Sequence, residues 1–161
     1  MPSPEAPASL IIAASCSATL VWVCVTDLRR RVIPNRALVS GSIPVILALA
    51  ILSPELLPGR LVWALLAALP LTLISLVEPQ AMGMGDAKLV AFLGLCLGSS
   101  VLVALAFAAL AGSVVGIGIL VRRGTGARTV TIPFAPYLGF GSLAACAQII
   151  WGLEITQVAG T

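Results

Sequence analysis

The 161-residue sequence has no histidine and only two aspartates, Asp27 and Asp86. Charged residues make up 9% of it and aromatic residues 5%. A soluble domain carries roughly 25% charged residues, so a surface kept in water by charge is excluded. No Cys-x-x-Cys pair occurs among Cys16, Cys24, Cys96 and Cys146. With histidine also missing, a zinc site has almost no ligands to draw on, and the sequence implies neither metal nor cofactor. The four cysteines lie inside apolar runs and read as small buried hydrophobes. The nine basic residues are scattered between those runs and form no face that would bind nucleic acid.

What is abundant is apolar side chain. Hydrophobic residues are 60% of the chain, and its mean hydropathy is +1.13. These values specify an all-α integral membrane protein, with residues 1–161 forming a single membrane-embedded domain and the lipid bilayer as a partner. A helix needs about 17–25 apolar residues to cross a bilayer. Residues 8–25 meet that length without a charge, and the basic residues Arg29, Arg30, Arg31 and Arg36 follow this run rather than precede it. A secretory signal has the opposite order, so the first run is a retained helix with its N-terminus outside. Further spans are expected at 38–57, 61–77, 86–98, 101–121 and 132–153. Pro44 interrupts the second. Pro70 lies inside the third, where Thr72 and Ser75 are near enough to satisfy the freed carbonyl.

The resulting bundle of about six transmembrane helices can be checked by charge. With the N-terminus outside, the inner loops hold Arg29, Arg30, Arg31, Arg36, Lys88, Arg122, Arg123 and Arg128, and only Arg60 falls outside. The positive-inside rule asks for that bias. The same topology puts Asp27 at the end of the first helix and Asp86 at the start of the fourth, both at the inner membrane surface. An acid there costs less than the roughly 2.5–3.5 kcal/mol of a helix centre. Gly94 and Gly98, and Gly112 and Gly116, have the four-residue spacing that lets helices approach closely in lipid, most simply within the bundle.

Three motifs carry the chemistry. Asp27 is followed by Arg29, Arg30 and Arg31 and then by Ile33-Pro34-Asn35. Gly83-Met84-Gly85-Asp86-Ala87-Lys88 comes later, and Ile132-Pro133-Phe134-Ala135-Pro136-Tyr137 opens the last span on the same side. Taken alone, Asp86 also suits a helix N-terminus, where the macrodipole favours an acid. Asp27 also suits a juxtamembrane acid paired to an arginine. Together and in this order, the motifs resemble the prepilin peptidase family, the GxGD-type aspartic proteases that process type IV and Flp-type pilin precursors. Glycine is usual in that family where Ala135 stands here.

The resemblance implies an aspartic endopeptidase of the bacterial cytoplasmic membrane. It would cut the leader from prepilins or pseudopilins of the type IV, Flp/Tad kind at the cytoplasmic face. Larger relatives carry an additional N-terminal segment associated with N-methylation, so peptidase activity without methyltransferase activity is expected. Asp27 and Asp86 become the catalytic pair. Hydrolysis by two carboxylates needs one ionised to activate water and one protonated to polarise the scissile carbonyl, and neighbouring acids titrate in two separated steps. Gly83 and Gly85 would let an extended substrate backbone approach, with Lys88 and Pro133 beside it. Lys88 either biases Asp86 towards its charged form or anchors the loop inside, though residues two apart on a helix do not face each other. The competing reading is a small proton-coupled transporter in which the two aspartates carry protons. Such carriers often show paired repeats, and no repeat is visible in this sequence.

Overall fold

The structure is a computed structural model and describes residues 6–30, 32–78, 83–123 and 136–142. Within them run five long helices: α1 (Ala6–Arg30), α2 (Asn35–Leu52), α3 (Leu57–Val77), α4 (Met84–Leu97) and α5 (Val101–Arg123). A 3-10 turn, Gly98–Ser100, joins α4 to α5, and residues 136–142 are again helical. No strand is present among the described residues.

Four segments are long and apolar enough to cross a membrane: Pro7–Arg30, Asn35–Leu52, Leu57–Val77 and Met84–Arg122. The last has 39 residues and would measure about 58 Å if straight, roughly twice the hydrocarbon thickness of a bilayer. It does not run straight. Gly98 closes α4 with φ 60° and ψ −132°, a conformation open to glycine, and α5 then contacts both α4 and α3. The expected fourth and fifth spans are therefore separate helices. The expected sixth, 132–153, lies outside the described residues apart from 136–142.

Helix limits differ from the sequence expectations for identifiable reasons. α1 continues through Asp27 to Arg30, because no breaker follows Val25 and helicity does not require apolar residues. α3 begins at Leu57 and takes Pro58 into its first turn, where a missing N–H costs nothing. Pro44 and Pro70 sit inside α2 and α3. The Thr72 hydroxyl donates to the Ala68 carbonyl at 2.8 Å. It is thus not the group that serves the Leu66 carbonyl freed by Pro70.

α4 is the centre of the bundle. Nine of its fourteen residues are buried, spread over all its faces, as expected for a helix that is apolar all round. It packs against α3 most extensively and also meets α1, α2 and α5. α3, by contrast, buries only Ala67 and Ser75 and leaves Leu61, Leu65, Leu69, Leu73 and Leu76 exposed. An unbroken apolar face of that kind belongs against lipid. Tyr137 is half-buried and packs on the core.

Connections between α1, α2, α3 and α4 are short, so successive helices alternate in direction. One end of the bundle gathers the C-termini of α1 and α3 and the N-termini of α2 and α4. That end carries Asp27, Arg29, Arg30, Arg36, Glu78, Asp86 and Lys88. The opposite end carries Arg60, whose guanidinium donates to the Cys96 carbonyl in the last turn of α4. Arg60 there borders a cavity of about 20 Å³ with Ser9, Ile12, Cys16 and Cys96, room for about one water.

Candidate active site

Asp86 is the third residue of α4. Gly83 is the N-cap, with φ −72° and ψ 137°, and Met84 and Gly85 complete the first turn. The Asp86 N–H donates to the Gly83 carbonyl at 3.0 Å. In return the Gly83 backbone serves as a hydrogen-bond partner of the Asp86 carboxylate. This is the reciprocal arrangement in which an acid at the third helical position reaches back to the cap. It satisfies an orphan backbone group and holds the carboxylate at the positive end of the helix dipole. A β-carbon on Gly83 would stand 3.5 Å from Asp86 Oδ2, an ordinary contact.

Asp27 reaches the same place from α1. It is 8% exposed, although it belongs to the most exposed turn of that helix, between half-buried Thr26 and exposed Leu28. The carboxylates of Asp27 and Asp86 lie within range of each other's charge. One acid is buried and the other half-buried, so water screens the charge between them less than it would at an exposed surface.

The remaining expected site residues divide. Gly85 does not open onto free space: a β-carbon there would meet Ile33 Cβ at 3.1 Å, Cδ1 at 3.3 Å and Cγ1 at 3.4 Å. Its φ is not positive, since Gly98 is the only positive-φ glycine among the described residues. Lys88 is exposed, and its Nζ donates to Asn35 Oδ1 at 3.2 Å. Gly83 is exposed. Pro133 lies outside the described residues. The helical stretch that follows it reaches α1 one turn before Asp27, where a β-carbon on Gly139 would stand 3.0 Å from Cys24 Sγ. Ile33 and Asn35 received no role from the sequence, though both belong to the Ile33-Pro34-Asn35 motif. Their signal was that turn itself, which says nothing about which helix it packs on. Among the described residues no group of three or more potential metal ligands occurs.

A helical bundle with apolar outer faces, four segments apolar enough to cross a membrane and two acids within range of each other's charge at one end has the form of a polytopic membrane protein. The sequence model of the type IV leader peptidase family matches residues 14–119, which include Asp27, Gly83, Gly85, Asp86 and Lys88, and this chain belongs to that family. A prepilin leader peptidase/N-methyltransferase of Bacillus subtilis (strain 168) is 34% identical over 128 residues, 78% of this chain and 51% of that protein. Proteins of the same name from Aeromonas salmonicida (strain A449) and Aeromonas hydrophila are each 37% identical over 83 residues, 51% of this chain and 27% of theirs. The chain thus spans about half, or less, of the length of these relatives. No solved structure matches it.

Proposed function

We propose that the chain, as one membrane-embedded domain, is an aspartic endopeptidase that removes the leader from type IV prepilins of the Flp/Tad kind or from pseudopilins. It works at the cytoplasmic face of the bacterial cytoplasmic membrane, with its N-terminus outside. The observation that supports the reading is that Asp27 and Asp86 lie at one end of the bundle, within range of each other's charge. Family membership supplies the reaction class. The side is argued from charge, because that end also holds Arg29, Arg30, Arg36 and Lys88, the arrangement expected of an inner face.

In the proposed mechanism one aspartate is ionised and takes a proton from the attacking water, while the other is protonated and hydrogen-bonds the scissile carbonyl. Attack gives a tetrahedral diol. Collapse returns a proton to the departing amine and restores the shared-proton state of the pair. The bilayer below the pair would hold the apolar segment that follows the leader, with the peptide bond at the membrane surface. The relatives' names also include N-methyltransferase; peptidase activity alone is proposed for this chain, so the mature product should lack the mass of an added methyl group.

The test is co-expression with candidate pilins from the same genome, with the product identified by mass. Asp27→Asn and Asp86→Asn should each abolish processing at undiminished membrane levels, because each keeps the shape and removes the acid. The double variant should be no worse than either single one, since groups acting as a unit are non-additive. Substantial processing by either single variant would sink the two-aspartate mechanism and favour the proton-carrier alternative.

A further inference from the structure

The connection between α1 and α2 is fastened to the beginning of α4 at two points. Ile33 fills the notch left by the missing side chain of Gly85, with 3.1 Å from its Cβ to where a Gly85 β-carbon would stand. Two residues later, Asn35 Oδ1 accepts a hydrogen bond from Lys88 Nζ at 3.2 Å, across 53 residues of sequence. Asp86 lies between Gly85 and Lys88 on α4. Asp27 lies one turn before the end of α1, the helix that runs into this connection. The two fastenings therefore flank Asp86 on α4, and on the other side both follow Asp27 in the chain.

We propose that Asn35 and Lys88 are a positioning pair that sets the register of Asp27 against Asp86. The inference rests on the peptidase reading above and assigns Lys88 to its own chain rather than to substrate. An exposed hydrogen bond adds little to the stability of a fold. Its effect on rate is of another size, because an ångström of misplacement between reacting groups costs about a hundredfold. The apolar contact of Ile33 with Gly85 limits how closely the connection approaches α4, and the Lys88–Asn35 bond limits how it slides along it. Lys88 is suited to this role because its long stem carries the ammonium from α4 across to the next helix. Asn35, as the first residue of α2, presents an acceptor on a side chain whose backbone is already fixed by the helix.

The test is cleavage kinetics of a purified prepilin substrate by the full chain in lipid, for Lys88→Met, Asn35→Leu, the double variant and Lys88→Arg. Each single change should lower kcat by roughly tenfold to a hundredfold, with KM close to that of the parent. The double variant should resemble the worse single one, and Lys88→Arg, which keeps a cationic donor, should retain most of the rate. A rise in KM at unchanged kcat would make Lys88 a substrate contact and overturn the proposal. So would losses that multiply in the double variant, or full activity of Asn35→Leu.

A second readout does not depend on activity. With the native cysteines replaced, Asp27→Cys and Asp86→Cys should react with a short bifunctional thiol reagent, and several-fold more slowly once Lys88→Met is added. An unchanged rate would also overturn the proposal. Asp27→Asn assayed alongside separates the two ideas. If it cleaves as the parent does, the two-aspartate reading on which the inference rests has failed. If it is inactive while the Asn35 and Lys88 variants cleave at full rate, only the positioning role has failed.

Discussion

Gly94 of α4 crosses α3 so closely that a β-carbon on it would stand 2.5 Å from the Ala64 Cα and 2.8 Å from the Ala64 nitrogen. The Trp63 carbonyl oxygen would be 2.9 Å away. All three neighbours are backbone, so no side chain can turn aside, and the helices themselves would have to separate. In lipid, where apolar surface gains nothing by leaving the solvent, such close backbone approach is a principal source of helix association.

Gly94→Ala should therefore destabilise the bundle by about 1–3 kcal/mol, the usual range for overpacking. Gly112→Ala is the matched control, because nothing lies within 4 Å of its absent β-carbon. Thermal unfolding in detergent should show a lowered midpoint for the first variant and none for the second. Equal midpoints would mean that the α3–α4 crossing is looser than these distances imply.

The contrast between these glycines marks what was legible in the sequence. Apolar runs made five helices readable, the fourth of them too short to span a bilayer by itself, and the alternation of short connections put Asp27 and Asp86 at the same end. Spacing of Gly94 and Gly98, and of Gly112 and Gly116, looked equivalent, yet Gly94 is a tight crossing, Gly98 a helix terminator and Gly112 open. A sequence gives the face of a helix only through contrast between polar and apolar sides. In α4 that contrast is nearly absent, because every side is buried. For the same reason the pairing of Gly85 with Ile33 and of Lys88 with Asn35 could not be read. Each joins residues distant in sequence, and only the packing of α4 against the connection brings them together.

Arg60 shows how a basic residue at the end of the bundle away from the aspartates is put to use. It was expected as a lone basic residue on the outer side, and it donates to the Cys96 carbonyl, one of the C-terminal carbonyls that α4 cannot satisfy internally. A β-carbon on the adjacent Gly98 would stand 3.2 Å from Arg60 Cδ, at a backbone with φ 60° that favours glycine. Arg60→Ala should cost about 1–3 kcal/mol, the range for a lost hydrogen bond to a charged group. Gly98→Ala should cost a similar amount, of order 1–3 kcal/mol, by placing a side chain in a sparsely populated region. Both changes lie at the end of the bundle away from the aspartates. The measurement is unfolding midpoint against cleavage rate per folded molecule: the first should fall and the second should hold. A rate that fell with the midpoint unchanged would connect this end to the chemistry.

Gly85 separates two explanations of the same glycine. Its φ is not positive, so substitution brings no backbone strain of the kind expected at Gly98, and only space is at issue. A β-carbon would press on Ile33 at 3.1–3.4 Å, a distance the half-buried isoleucine can relieve by moving a few tenths of an ångström. Gly85→Ala should then keep leader cleavage within a few-fold of the parent. Gly85→Val adds two further carbons at the same place, pushes the α1–α2 connection away from α4, and should lower the rate by about a hundredfold through misplacement of the pair. Adding Ile33→Ala to Gly85→Val restores room and should recover a large part of that loss. If the space beside Gly85 instead receives a substrate strand, valine will still block it, and shortening Ile33 will restore nothing. Cleavage rates at matched membrane levels, for the two single variants and the combined one, decide between a notch that seats Ile33 and a notch that seats substrate.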